Sequence, residues 1–318
     1  MKTEISTDRG AAVELLRKGE IVALPTETVY GLAADALDPI AIAKIFEAKE
    51  RPRFDPLIVH LPGREWLEKV VDLRNEDRQL IEKLADKFWP GPLTIVLPRK
   101  TIVPDIVTAG LDTVAVRVSA HPVFAEVIRA FGAPLAAPSA NRFGRISPTI
   151  AQHVFDELSG RVPLIIDAGA TTHGIESTIA TVRAGKIDIL RRGPITAEDL
   201  SNFGEVQVAT ERDKISAPGQ LPSHYAPKTP LQVVDDLKSF RSGERCALLA
   251  WTPIKNDERF VAIRNLSEKK DLREAAANLF RYVRELDELE VDLIVAERVP
   301  DRGLGAAILD RLQCASHA

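Results

Sequence analysis

The chain holds only two cysteines in 318 residues, Cys246 and Cys314, far apart and without metal-ligand spacing. A disulfide-stapled fold and a cysteine zinc site are therefore not expected, and a reducing, cytoplasmic setting follows. Aromatic residues make up just 5%. Only Phe54 and Phe143 interleave the basic segments, a poor basis for stacking on nucleic-acid bases. A net charge of -4 argues against wholesale coating of nucleic acid. The opening MKTEISTDRG lacks the apolar core of a signal peptide, and no apolar run approaches the roughly 20 residues of a membrane span. Also missing are G-x-x-x-x-G-K-[ST], G-x-S-x-G and H-E-x-x-H, so P-loop, serine-elbow and zinc-helix chemistries are set aside. What is present is ordinary for a globular chain, with 45% hydrophobic and 28% charged residues. The length suffices for two domains, each burying a core.

Apolar strands alternate with amphipathic helices, the pattern of an α/β protein. The run Ile21 to Leu24 reads as a buried strand. Asp38 followed by Pro39 reads as a cap and first helical position leading through Phe46. Strands are expected at Leu57 to Leu61, Leu93 to Leu97, Val114 to Val118, Pro134 to Ala137, Leu164 to Asp167, Thr178 to Val182 and Ile187 to Leu190. Asn75 can cap a helix reaching Phe88. Pro122 to Phe131 reads as a helix stopped by Gly132, and Ser147 with Pro148 reads as the start of another. From about Glu205 the periodicity fails, and Glu211 to Pro230 carries four prolines, the look of a linker. A second βαβ-like series then begins at Leu231, with a long helix from Glu268 to about Leu289 and a last one from Gly305 to Cys314. Gly303-Leu304-Gly305 reads as a tight turn. The expected division is 1–204, a linker at 205–230, and 231–318.

Three polar segments carry the chemistry. In the first, Pro25-Thr26-Glu27-Thr28-Val29-Tyr30-Gly31, hydroxyls flank a carboxylate at the C-terminal end of a buried strand, where α/β folds place ligands. Read alone it is an ordinary strand-to-helix turn using Thr and Gly for local hydrogen bonds. In the second, Lys49, Arg51 and Arg53 fall within five residues in a proline-stiffened loop that leads into the strand ending at His60. Contact with the helix dipole explains most such clusters; here a triphosphate clamp is the sharper reading. His60 by itself reads as a satisfied strand-end histidine. In the third, Pro138-Ser139-Ala140-Asn141-Arg142-Phe143-Gly144-Arg145-Ile146-Ser147, small polar side chains approach a helix start, which suits an anion. Arg117, in an otherwise apolar strand, needs an anionic ligand or a buried carboxylate.

Taken together these segments resemble the YrdC-like family of threonylcarbamoyl-AMP synthases. PTETVYGLAADA, KERPRFDPLIVH, GLDTVAVRVSAHP, APSANRFGRISPT, ESTI at Glu176 to Ile179 and LRRG at Leu190 to Gly193 are similar to family signatures and come in family order. PGQLPSHYAP (Pro218 to Pro227) and the α/β unit after it resemble the longer, two-domain form. The resemblance implies a twisted mixed-sheet domain with a concave cationic face and a smaller Rossmann-like domain. It implies an enzyme joining L-threonine, bicarbonate and ATP, with Mg2+ on the triphosphate and no protein ligand for it assigned. The product, threonylcarbamoyl-adenylate, would pass to a tRNA threonylcarbamoyl-transferase complex for modification beside the anticodon. It places Lys49, Arg51, Asp55, Thr113, Ser139, Asn141, Ser147 and Arg191 on ATP, with Tyr225 folding over as a lid. It places Thr28, His60, Arg117, Ala137 and Ser177 on threonine. Asp55 departs from the pattern, since many relatives carry Asn there. No covalent nucleophile is required. The rival reading is a non-catalytic RNA-binding module using the same basic face.

Overall fold

A computed structural model describes residues 1–52, 54–73, 76–209 and 225–316. Eleven strands form one mixed sheet: β1 (Glu4–Ser6), β2 (Val22–Pro25), β3 (Tyr30–Asp35), β4 (Ile58–His60), β5 (Leu93–Pro98), β6 (Thr113–Arg117), β7 (Leu135–Ala136), β8 (Leu164–Ile166), β9 (Thr178–Arg183), β10 (Lys186–Arg191) and β11 (Glu205–Val208). Their spatial order is β1-β8-β2-β3-β7-β4-β6-β5-β9-β10-β11. Four more, β12 (Leu231–Val234), β13 (Cys246–Ala250), β14 (Phe260–Asn265) and β15 (Leu293–Glu297), make a separate sheet ordered β12-β15-β13-β14. All its pairs are parallel, as crossover connections through helices require. That order differs from the 3-2-1-4-5-6 arrangement built from two mononucleotide-binding halves.

Topology decides where the polar segments go. Strands β4 and β6 are parallel neighbours with His60 opposite Arg117, and β5 runs antiparallel to β6. The C-terminal ends of β4, β6 and β10 therefore share one edge of the sheet with the N-terminal ends of β5, β7 and β9, and the β2–β3 turn reaches Arg117 and Ser119 there through Glu27. Along β6 the side chains alternate. Val114 and Val116 enter the main core, while Ala115 packs with Ile58, Val96 and Ile179 on the other face. Arg117 and Thr113 share that second face.

Local signals hold well where a cap or a glycine sets them. Asp38 accepts from the Ile40 amide at the head of Pro39–Lys49, and Gly132 ends Pro122–Phe131 at φ 87°. Four expectations change. The first polar segment is the turn of an antiparallel β2–β3 hairpin, with Pro25 opposite Tyr30, rather than a strand-to-helix turn. The helix expected at Ser147 starts at Ala151, because Pro148 and Thr149 give their carbonyls to the amides of Tyr30 and Thr171. Glu205–Val208, expected in the linker, pairs parallel with β10. The helix before Phe88 begins at Arg78 after Asp77; Asn75 lies outside the described residues, as do 210–224 of the linker and Arg53.

The two sheets meet through the site's own loops. Val29, Ile146 and Ile175 belong to the apolar cluster built from Leu279, Phe280 and Leu309 of the second unit. Gly174, at φ 70°, makes that approach possible, since a Cβ there would lie 2.5 Å from Ala277 backbone atoms.

Candidate functional site

The hairpin turn is fixed by Thr26. Its hydroxyl donates to the Val29 carbonyl at 2.6 Å and accepts from the Thr28 and Val29 amides. That closure turns Glu27 and Thr28 toward the end of β6. Arg117 there forms an ion pair with Glu27 at 2.6 Å and donates to Thr28 Oγ1 at 3.1 Å and to the Gly91 carbonyl at 3.0 Å. The other Glu27 oxygen accepts from Ser119 Oγ at 2.5 Å. Burial alone would raise the Glu27 carboxyl, but Arg117 and Ser119 overcome it and hold it at about 2. Of the two partners left open for Arg117, the buried carboxylate is therefore present in the protein itself.

His60 is buried beside this pair, with its ring 4.7 Å from that of Phe124. Burial, reinforced by Arg117, pushes its imidazole down to about 3, so the ring is neutral. Its Nδ1 has no hydrogen-bond partner among the described residues. An orphaned buried nitrogen is costly unless something else meets it.

A second set of groups comes from the loop after Pro39–Lys49. Lys49 is buried, and its ammonium donates to the carbonyls of Ser139 at 2.6 Å and Asn141 at 2.5 Å. Burial and the charge of Arg51 push its pKa well below the lysine range. Arg51 donates to the carbonyls of Asp55 and Pro56 and pairs with the Asp55 carboxylate at 2.8 Å. Burial pushes the Asp55 carboxyl upward against the pull of Arg51 and Lys49. Arg191, ending β10, donates to the Ser177 carbonyl at 2.9 Å and its hydroxyl at 3.1 Å, and Ser177 also meets Thr94 Oγ1 at 2.8 Å. The close packing of this corner needs Gly193, where a Cβ would come within 2.4 Å of the Thr178 nitrogen.

These groups enclose one pocket at the sheet edge. Thr28, His60, Arg117, Ala137 and Ser177, all expected on threonine, line it together. Arg51, Ser139, Arg191 and Tyr225, expected on ATP, line it too. Five other expected ATP residues are not on that wall. Lys49 is engaged with carbonyls beneath the Ser139 loop, and Asp55 is the counter-charge of Arg51. Asn141 braces its own turn, donating to the carbonyls of Arg142 and Arg145. Ser147 gives its hydroxyl to Glu176. Thr113 stands at the opposite end of β6, four residues and so about 13 Å from Arg117.

Sequence reasoning assigned no role to Thr26, Glu27, Glu176 or Arg311. The first three lie inside recognisable segments and could have been found by asking what turns the hairpin and what neutralises the cations. Arg311 carries no local signal; it sits on the last helix, Leu304–Ser316. Among the described residues no group of three or more His, Cys, Asp or Glu is placed to hold a metal ion, and no helix is long and apolar enough to cross a membrane.

Comparison with known proteins adds an independent line. A family model described as "Telomere recombination", for Sua5, YciO and YrdC, matches residues 14–193. Another, described as "Threonylcarbamoyl-AMP synthase, C-terminal domain", matches residues 195–317. The threonylcarbamoyl-AMP synthase of Pyrococcus abyssi (strain GE5 / Orsay) is 39% identical, with 96% of this chain and 93% of that protein aligned. That of Bacillus subtilis (strain 168) is also 39% identical, over 96% and 92%. Among solved structures, P. abyssi Sua5 complexed with L-threonine matches with a TM-score of 0.89 at 36% identity, covering 100% of this chain and 98% of that one.

Proposed function

The chain belongs to the Sua5–YciO–YrdC family in its two-domain form, and from that premise we propose that it is an L-threonylcarbamoyladenylate synthase. It makes threonylcarbamoyl-AMP and pyrophosphate from L-threonine, bicarbonate and ATP. The observation that carries this reading is the single pocket in which Thr28, His60 and Arg117 stand beside Arg51 and Arg191. An amino acid bound at the first three lies next to cations suited to a polyphosphate.

Threonine's amine attacks the bicarbonate carbon and a C–O bond breaks with loss of water to give a carbamate; a carbamate oxygen then attacks the α-phosphorus as its bond to the bridging oxygen breaks and pyrophosphate leaves. Such a step is mainly alignment and neutralisation of developing charge. Arg117 has donors left after serving Glu27, Thr28 and Gly91, and these face the threonine carboxylate. Neutral His60 offers Nδ1 to the amine or the hydroxyl, with Thr28 and Ser177 alongside. Arg51 and Arg191 take the phosphates, Ser139 contributes from the loop that Lys49 holds, and Thr113 lies further along the same sheet face, toward the adenosine. Mg2+ enters with ATP as part of the substrate, its ligands supplied by phosphate oxygens. Tyr225 closes over the nucleotide and keeps water from the labile mixed anhydride.

We read the four-stranded parallel unit as Rossmann-like in architecture and as a brace rather than a second nucleotide site. The amide of Gly303, at the head of its last helix, already donates to Glu198 at 3.2 Å. The rival RNA-binding reading has less support, because it needs an open basic face. Lys49, Arg51, Arg117 and Arg191 are buried, at 1%, 7%, 2% and 7% exposure. A cytoplasmic location and delivery of the adenylate to a tRNA threonylcarbamoyl-transferase complex complete the proposal.

The test is pyrophosphate release from ATP and Mg2+, with threonine and bicarbonate omitted in turn. Release that needs both supports the synthase; release without threonine, or none, overturns it.

A further inference from the structure

The last helix sends one side chain out of its own unit. Arg311 is 1% exposed, the largest of the fully enclosed side chains among the described residues. Its Nε donates to Glu176 Oε2 at 2.9 Å and its Nη2 to the Arg192 carbonyl at 2.9 Å. Its guanidinium carbon lies 4.9 Å from the centre of the Tyr225 ring, which stacks on Phe280 at 5.4 Å. Glu176 and Tyr225 line the pocket, and Arg192 follows Arg191, which also lines it. One side chain from the second unit thus touches three segments of the pocket wall.

The electrostatic problem makes this contact more than packing. Among the described residues lining the pocket, Glu176 is the single acid. One of its oxygens accepts from Ser147 and the other from Arg311. A polyphosphate brought beside a buried, uncompensated carboxylate would be repelled at short range in a low-dielectric setting, where such terms are largest. Neutral hydrogen bonds such as that from Ser147 do not cancel the charge; a guanidinium does.

We propose that Arg311 is a positioning residue for the nucleotide, cancelling the charge of Glu176 and holding the Tyr225 ring in place. This deepens the synthase reading and rests on it. It also gives the second unit a concrete part in the reaction, since the pocket is electrostatically fit for ATP only when the last helix is docked. A side chain that merely stapled two cores would affect stability without discriminating between substrates. Removing the acid would not repair its loss.

The experiment uses the full chain and two readouts, calorimetric binding of MgATP and of L-threonine, and KM for each in pyrophosphate release. Wild-type release that fails to require threonine and bicarbonate overturns the synthase reading, while MgATP binding still tests Arg311. Arg311→Met is expected to weaken MgATP by about tenfold or more, the scale of losing one charge-compensating contact. Threonine affinity should stay within about threefold, since that end has its own Arg117–Glu27 pair. Arg311→Lys should fall between. The double variant Arg311→Met with Glu176→Gln should recover most of the MgATP affinity. Wild-type MgATP binding by Arg311→Met, or a double variant no better than the single, overturns the inference. Should Arg311→Met not fold, Glu176→Gln alone decides. MgATP bound as tightly as by wild type, or more tightly, supports the inference, and weaker binding overturns it.

Discussion

Of the buried arginine–carboxylate pairs around the pocket, two are assembled in different ways. Arg117 and Glu27 both sit on the large sheet, one closing β6 and the other in the turn that joins β2 to β3. Arg311 and Glu176 are 135 residues apart and bridge the two sheets. The first pair is complete once a single sheet has formed. The second exists only after the last helix has docked. One end of the site is thus a property of a fold, and the other a property of an assembly of two folds. Both follow the same rule, that a cation or carboxylate taken from water must bring its partner.

The largest effect should come from breaking the pair that lies within the sheet. Arg117→Met leaves the Glu27 carboxylate buried without its counter-charge, a class of change that costs about 3–5 kcal/mol. Urea denaturation should register that loss, and turnover with threonine should fall by about 100-fold or more. An Arg117→Met protein with wild-type stability, or with a defect confined to ATP, would erase the distinction between the two ends. A smaller effect is expected from Lys49→Ala. Two buried carbonyls, those of Ser139 and Asn141, lose their donor, at about 1–3 kcal/mol. Because the Ser139 loop then loosens, KM for ATP should rise while KM for threonine changes less. Equal changes in both would show the loop to serve the whole pocket.

Acid should separate the contributions further. Glu27 is depressed to about 2 from 4.5, so its stabilisation is full above 4.5 and is lost as pH falls toward 2. His60 is depressed to about 3 from 6.5, and it is the neutral ring that the fold accepts. The unfolded chain therefore gains a proton first, and stability falls from pH 6.5 downward, by about 2–3 kcal/mol near pH 4.5. Replacing His60 with Gln should make the stability curve shallower between pH 6.5 and 4.5, leaving the share of His153, which burial pushes down to about 4. A curve of unchanged slope in that interval would mean that His60 is not among the groups that carry the titration.

The same contrast explains what could be read from the chain alone. The Asp38 cap, the Gly132 stop and the strands around His60 and Arg117 depend on neighbours within a few residues, so composition and period reveal them. The grouping of Thr28, His60, Arg117 and Ala137 on one pocket wall was legible for that reason: these residues close strands and a turn of one sheet. The hairpin itself was missed because Thr26 closes its turn through side-chain bonds instead of a glycine pair. The start at Ser147 failed because tertiary bonds to Tyr30 and Thr171 hold that stretch extended. Arg311 was beyond reach. Its helix is amphipathic like any other, and only the docking of two sheets turns its single arginine toward Glu176.

The smallest predicted effect sharpens the comparison where the two units meet. Tyr225 is held by its ring, stacked on Phe280 at 5.4 Å and faced by Arg311 at 4.9 Å. Tyr225→Phe keeps both contacts, so stability should change by no more than about 1 kcal/mol and KM for ATP by a few-fold at most. Tyr225→Ala removes both, forfeiting an aromatic pair and a cation–π contact worth about 1–3 kcal/mol together, and its KM for ATP should rise toward that of Arg311→Met. Measuring the two variants side by side tells ring from hydroxyl. If Tyr225→Phe is as impaired as Tyr225→Ala, the hydroxyl carries the function and the lid works by a hydrogen bond to the nucleotide. If only Tyr225→Ala is impaired, the ring is the element that the second unit positions, and the assembled end of the pocket owes its shape to packing as well as to charge.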